Sequence, residues 1–459
     1  MSRELLLILI VSITLAACQP VATATPVPVL PETASSPTAP ESPEADTPTP
    51  MTQETILPSC PPIDGDVLNQ MRVIEENVSQ LRGLQALRAV ERSLFTTEQL
   101  RTHVVDEFLA DYSVQEAEAD AALYFLLGLL PDDLDLHQLY TDLLSEQVAG
   151  FYDTEIDEMV VVCTGDFSGI ERLTYAHEYV HTLQDQRYDF ETGLGYSNAA
   201  CKDASQRCAA TRALFEGDAA LLQEQWLRRF ATDQDLNDLQ LFFSTFTMPV
   251  YDSAPAHIQV DFTFPYLEGL FFVRSLYLKG GWAAVDEAYL NPPQSTEQIL
   301  HPERYPHDAA ILLETPDLSA LSGSGWLIAA EDVIGEWVLL KMFDAQLSGE
   351  DAQTAAGGWG GDVAILLDNP SLDEQALILL IQWDSMRDAH EFIAAFKEYG
   401  ARRFGDADLS TSSSAQWNSG EYGGLVERQS NQTLIILTSS PESMRALRAE
   451  VSLPARALP

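Results

Sequence analysis

The sequence predicts an α+β protein: a mostly helical core over residues 63–320 that includes one short strand, then a small C-terminal α+β unit over residues 321–459. Three observations carry this. Apolar residues recur at helical spacing through residues 63–150. The β-branched run Glu158-Met-Val-Val-Val-Cys163 interrupts that pattern as a strand. Beyond about residue 325 short strand-like runs alternate with helical ones.

Residues 1–18 read as an export signal. Arg3 supplies a positive start, and Leu5 to Leu15 form an apolar run too short to span a membrane. The run ends in Leu15-Ala-Ala-Cys18, which resembles a bacterial lipobox. That resemblance implies cleavage before Cys18, lipid on its thiol, and an extracytoplasmic protein anchored to a membrane of the cell envelope. The alternative is an ordinary signal peptide with a chance cysteine. Residues 19–62 hold twelve of the 25 prolines among Thr, Ser, Ala and Glu, so they bury no core and read as an extended, disordered tether.

Val67, Met71, Ile74, Val78, Leu81 and Leu84 set the first helix. Thr96 with Gln99 has the form of a capping box opening the next. Ala121 to Leu130 reads as an apolar helix stopped by Pro131, and Asp133 or Asp135 caps another that ends near Gly150. His103 and His137 lie in these helices without metal-ligand company.

The stretch Leu173-Thr-Tyr-Ala-His177-Glu178-Tyr-Val-His181-Thr-Leu-Gln184 contains H-E-x-x-H. On a helix, residues four apart share a face, so His177 and His181 can offer two imidazole nitrogens to one metal ion. Glu178 is rotated by about 100° from the first ligand, within reach of the water to be activated. Ile170, Leu173 and Val180 fall on the same side, which turns both histidines inward. A pair of hydrogen-bonded core histidines is the plainer alternative. Catalytic zinc usually takes three protein ligands. Glu216, in Arg212-Ala-Leu-Phe-Glu216-Gly-Asp218, interrupts a small and apolar helix and is the candidate third ligand; its alternative is a solvated glutamate or one paired with a nearby arginine. Asp218, Glu224 and Asp185 are weaker candidates.

His177, Glu178, His181 and Glu216 together resemble the gluzincins, metallopeptidases that hold zinc with H-E-x-x-H and a later glutamate. Gly150-Phe-Tyr-Asp153 and Glu216-Gly-Asp-Ala219 are similar to segments of uncharacterised bacterial lipoproteins with this core. No third histidine follows in the metzincin manner, and the N-E-x-x-x-D pattern of thermolysin-type enzymes is missing. The resemblance implies a zincin-like fold, Zn²⁺ as cofactor, a peptide or protein substrate, and an edge strand before the H-E-x-x-H helix that pairs with the extended substrate. It also implies a donor opposite the metal that stabilises the oxyanion. Tyr266, in Phe264-Pro-Tyr266-Leu-Glu268-Gly269 at the opening of an apolar helix, and His301, in Gln298-Ile-Leu-His301-Pro302, are the candidates.

In the C-terminal unit, Glu331 to Leu347 reads as a helix and Gly357-Gly-Trp-Gly-Gly-Asp362 as a tight turn. Strands at Val363–Asp368 and Ala376–Trp383 precede a helix from Asp388 to Phe404. Glu421–Arg428 and Thr433–Thr438 look like a hairpin turning at Asn431-Gln432, and a last helix starts near Pro441. This unit carries no catalytic constellation. A net charge of −45 argues against nucleic acid as a partner, because phosphate contacts need a basic surface. After Cys18, four cysteines remain in a chain read as exported. Cys201 and Cys208 are close enough to close a small loop, which leaves Cys60 and Cys163; free thiols are the alternative.

The expected function is that of a lipid-anchored, extracytoplasmic zinc metallopeptidase with Glu178 as general base. The rivals are a non-catalytic envelope binding lipoprotein that keeps the scaffold, and a structural zinc site with a fourth protein ligand.

Overall fold

Two sheets organise the protein, a small one beside the H-E-x-x-H helix and a larger one in the C-terminal part. The computed structural model describes residues 5–9 and 60–451, apart from 155, 164, 322 and 421. Cys18 and the tether through residue 59 lie outside these residues.

Strand β1 (Leu5–Leu9) falls within the stretch read as an export signal. Helix α1 (Gly65–Arg82) buries Val67, Met71, Ile74 and Val78 at the predicted spacing and stops at Gly83, whose φ of 76° is left-handed. The all-helical reading of 63–150 fails next, because Glu91–Phe95 is a strand, β2. Its partner, more than sixty residues ahead, supplies the pairing that its own sequence does not announce. Helix α2 (Thr97–His103) opens with the Thr96–Gln99 capping box. Helix α3 (Val114–Leu126) ends short of the predicted Leu130, at a turn where Gly128 has φ 73°. Helix α4 (Leu136–Gln147) is capped by Asp135, whose side chain accepts from the Gln138 amide. Strand β3 (Val148–Asp153) follows at once and runs antiparallel to β4 (Glu158–Val162).

The small sheet has the order β1-β3-β4-β2. The strand expected at the edge, β4, is therefore interior, held by β3 on one side and by β2 in parallel on the other. A strand's neighbours are set by residues remote in sequence, so its own composition does not reveal an edge. The disulfide Cys60–Cys163 ties the segment before α1 to the end of β4.

Helix α5 (Gly169–Tyr188) carries H-E-x-x-H, and α6 (Asn198–Lys202) leads to the long α7 (Ser205–Phe230) with Glu216 at its middle. Cys201 and Cys208 are bonded across this junction. Helices α8 (Asp233–Thr245) and α9 (Pro249–Ser253) precede α10 (Ala256–Gly280). The last starts eight residues before the predicted Phe264 and takes Pro265 inside it. Helices α11 (Trp282–Leu290) and α12 (Thr296–Leu300) complete this part.

The C-terminal part opens with β5 (Leu327–Asp332), not with the predicted helix from Glu331. Helix α13 (Gly335–Asp344) starts only at Gly335, with φ 75°, where the buried Asp362 carboxylate accepts from the Ile334 and Gly335 amides. After α14 (Gly349–Ala356), the glycine-rich segment is mostly strand: β6 spans Trp359–Asn369, and β7 spans Glu374–Trp383. Helix α15 (Met386–Phe404), short strands β8 (Leu409–Ser410) and β9 (Ser414–Ser419), the hairpin β10 (Tyr422–Gln429) and β11 (Gln432–Thr438), and α16 (Pro441–Glu450) follow. The sheet is antiparallel throughout, in the order β5-β6-β7-β11-β10-β9-β8.

The two parts share their largest core. It runs from Leu214 and Phe272 of the helical part through Trp337 and Phe343 to Trp359, Trp383 and Trp417 around the large sheet. From α15, the Tyr399 hydroxyl donates to the Leu127 carbonyl at 2.7 Å and Arg403 donates to that of Phe125. The C-terminal unit is packed onto the helical part by this apolar continuity.

Candidate metal centre

Helix α5 is buried on nearly every side. From Ile170 to Gln186 only Arg172 is less than buried, so the helix passes through the interior instead of lying on it. The hydrophobic effect holds it there against α1, β3, β4 and α7. His177, Glu178 and His181 are 2%, 0% and 0% exposed. Helix α7 is buried in the same way from Ala210 to Leu222 except at Arg212, with Glu216 at 0%.

The two helices bring three ligand atoms together. His177 Nε2 lies 3.2 Å and His181 Nε2 3.3 Å from the same Glu216 oxygen, Oε2. Three ligands about 2.0–2.1 Å from a tetrahedral metal stand about 3.3 Å apart. The spacing therefore fits a zinc ion, and hydrogen bonding in one case needs a further condition. Gln184 Nε2 donates to the Phe215 carbonyl at 3.1 Å, which turns Gln184 Oε1 toward His181 Nδ1 at 2.8 Å. An amide oxygen only accepts, so Nδ1 carries the proton. His181 Nε2 of the neutral ring then presents a bare lone pair to a carboxylate oxygen, and it has no hydrogen-bond partner. Two buried acceptors in contact require a positive charge between them, a proton or a metal ion. Burial pushes the neighbouring His177 imidazole below its ordinary pKa even though Glu216 acts the other way. Burial works to raise the Glu216 carboxyl, but the His181 and His177 rings, where they carry positive charge and donate to it, bring it down to about 2, as suits a carboxylate that faces a cation.

Glu178 completes the motif. Neither of its carboxylate oxygens has a hydrogen-bond partner among the described residues. Burial, with Glu216 nearby, pushes its pKa well above the usual carboxylate range. Gly150 of β3 passes close to it. A Cβ at that position would come 2.8 Å from Thr174 Cγ2 and 3.1 Å from Glu178 Cγ, so the glycine is what lets the strand lie against the Glu178 side chain.

Tyr266 is brought to the centre and His301 is not. The Tyr266 ring lies 6.4 Å from the His177 ring, with its hydroxyl buried beside the Arg212 guanidinium. Burial, Glu216 and Glu178 raise that hydroxyl's pKa well above the ordinary value, while the Arg212 guanidinium opposes them. His301 instead ends α12, where Nε2 meets Glu336 Oε1 at 2.8 Å and Nδ1 lies 3.7 Å from Glu303. Helix α12 packs near the start of α7, with Thr296 Oγ1 donating to Gln206 Oε1. Gln206 stands about 15 Å along the helix from Glu216. The histidine beside Pro302 thus serves the contact with α13.

The weaker ligand candidates are all engaged elsewhere. Asp218 is paired with the buried Arg82 at 2.9 Å and accepts from the Tyr289 hydroxyl at 2.8 Å. Glu224 is paired with Arg274 at 2.6 Å and with Arg228. Asp185 accepts from the Tyr152 hydroxyl and the Phe190 amide. A second acidic group, Glu297, Asp308 and Asp384, converges on Arg304 Nη1 at 2.5, 3.5 and 3.3 Å, so its cation is the guanidinium. Sequence reasoning assigned no role to Gln184, Arg212, Gly217 or Gly269. Only helical spacing signalled the first two, three residues after His181 and four before Glu216.

Residues 327–448 match the model of a domain of unknown function, DUF8575. That match covers the large sheet and its helices and leaves His177, Glu178, His181 and Glu216 outside. No curated protein and no solved structure matches the chain.

Proposed function

We propose that the protein is a zinc-dependent metallopeptidase, with His177, His181 and Glu216 as metal ligands. The observation that carries this reading is the buried convergence of His177 Nε2 and His181 Nε2 on Glu216 Oε2, at 3.2 and 3.3 Å, with Gln184 fixing the His181 ring. The export signal and lipobox resemblance extend the reading to a lipid-anchored envelope protein whose substrates are peptides or proteins outside the cytoplasm.

Zinc bound there supplies a Lewis acid that polarises the scissile carbonyl and acidifies a water. The protein's own groups do the rest. Glu178 takes a proton from the attacking water and delivers it to the leaving amine. Its unpartnered oxygens suit that role, since no other donor has to be displaced. The Tyr266 hydroxyl donates to the carbonyl oxygen as negative charge develops on it. The buried walls of α5 and α7 keep these interactions out of bulk water, where they would be weaker.

The deciding experiment measures zinc per chain in residues 60–459 and in Glu216→Ala, together with peptide hydrolysis by Glu178→Gln. One zinc in the parent chain, loss in Glu216→Ala, and retained zinc without turnover in Glu178→Gln support the reading. A parent chain that takes no zinc after reloading, or equal hydrolysis with Glu178→Gln, overturns it. Zinc bound with no hydrolysis of any peptide by the parent would favour a non-catalytic binding lipoprotein.

A further inference from the structure

Most charged arginines of the interior are neutralised at short range. Arg82 has Asp218 at 2.9 Å and Asp286 at 2.7 Å, and Arg172 has Asp235 at 2.9 Å. Arg212 is different. It lies one helical turn before Glu216, and the carboxylate it approaches, Glu216 Oε1, is 4.0 Å from its Nε. That carboxylate is already committed to the two histidines through its other oxygen. Tyrosines 266 and 196 are also beside the guanidinium and supply no formal charge. The Arg212 side chain is 33% exposed, whereas Glu216 is 0% exposed. The Arg212 side chain thus runs along the edge of the metal triad, in a chain with 70 acidic and 25 basic residues, and among the described residues no carboxylate is paired with it more closely than Glu216.

We propose that Arg212 is a specificity residue that binds the C-terminal carboxylate of the substrate, so that the enzyme removes residues from the free carboxyl end of peptides. The inference rests on the metallopeptidase reading above. Guanidinium pairs with carboxylate through two parallel N–H···O bonds, a geometry that a planar chain-end carboxylate matches. Distance selects the chain end over a point farther along. Arg212 Nε is 4.0 Å from Glu216 Oε1; the oxygens of one carboxylate are about 2 Å apart and the ligand oxygen, Oε2, would stand about 2 Å from zinc, which puts the guanidinium within roughly 8 Å of the metal position. Successive residues are about 3.8 Å apart, and a charge-assisted N–H···O bond adds about 2.8 Å. The carboxylate one residue beyond the scissile carbonyl therefore fits the available span, and one several residues beyond does not.

The test uses binding, so that it does not depend on turnover. Zinc-loaded Glu178→Gln protein is titrated calorimetrically with a blocked tripeptide ending in a free carboxylate and with the same peptide ending in an amide. A third peptide is amidated but carries a glutamate next to its end. Zinc content is measured for every variant, and failure of the metallopeptidase reading shows there and in parent turnover. The expected result is at least roughly tenfold tighter binding of the free acid, reduced to parity when Arg212→Met is added. Arg212→Lys, which keeps the charge and loses the fork, should fall between. Equal affinity for acid and amide, no binding of either, or preference for the internal glutamate overturns the proposal. An acid preference that persists in a zinc-loaded Arg212→Met protein also overturns it.

Discussion

Gly217 and Gly269 meet backbone to backbone where α7 crosses α10. A Cβ on Gly217 would lie 2.1 Å from the Gly269 carbonyl oxygen, and one on Gly269 would lie 2.1 Å from the carbonyl oxygen of Ala213. Neither helix has room for a methyl group at the crossing. Glu216 is the neighbour of one glycine and Tyr266 lies three residues before the other, so this contact sets the distance between the Glu216 carboxylate and the Tyr266 side chain.

Gly217→Ala should accordingly force the helices apart. Overpacking of this kind costs about 1–3 kcal/mol, and backbone oxygen yields less readily than a flexible side chain. A urea titration should show a lower midpoint with little change in slope. An unchanged midpoint would mean that the crossing is looser than the structure has it.

Replacing Gln184 by Leu should leave the triad residues in place but remove the lock on the His181 tautomer. Loss of an outer hydrogen bond to a ligating histidine typically lowers metal affinity 10–100-fold. Competition with a chromophoric chelator would measure it. Affinity equal to the parent would remove the tautomer argument on which the zinc assignment stands.

Tyr266→Phe keeps the ring and deletes the hydroxyl. If that hydroxyl serves the oxyanion, kcat falls by about 10²–10³ with zinc content and KM little changed. A drop confined to KM would instead make Tyr266 a substrate-binding residue.

Glu297 provides a pH test of stability away from the metal. Burial and the nearby Glu336, opposed by Arg304, push its pKa up to about 9. The native state then keeps a proton that the unfolded chain, with its carboxyl near 4.5, has released. The stabilisation is full below the unfolded value and is lost as pH rises toward 9, by up to about 1.4 kcal/mol per pH unit. The net charge of −45 also weakens the fold as pH rises, so the readout is a difference. Between pH 5 and 9, Tm should fall more steeply for the parent than for Glu297→Gln. Parallel curves would show Glu297 ionised throughout.

Much of the centre is legible in the chain because it is local. His177, Glu178 and His181 share one helix, and periodicity alone turns both histidines inward. Glu216 stands out as a carboxylate in a small, apolar helical run. Tyr266 and His301 are equally plausible by type, and helix packing separates them: α10 crosses α7 at Glu216, whereas α12 meets it near Gln206. Local chemistry likewise reveals the Thr96 capping box and the strand at Glu158. It does not reveal β2, whose conformation depends on β4, or the long β6, in which glycines at 360 and 361 sit where a turn was expected.

The sequence by itself determined the α+β class, most helices, the H-E-x-x-H face and its companion glutamate, since each follows from spacing within one element or from one residue out of character with its neighbours. Tertiary structure alone decided which strand lies inside the small sheet, which tyrosine or histidine reaches the triad, that Gln184 orients His181, and that Glu216 at 4.0 Å is the carboxylate Arg212 approaches. Those outcomes depend on groups distant along the chain. Their positions are fixed only when the helices pack, and at the α7–α10 crossing that packing is governed by the absence of two side chains.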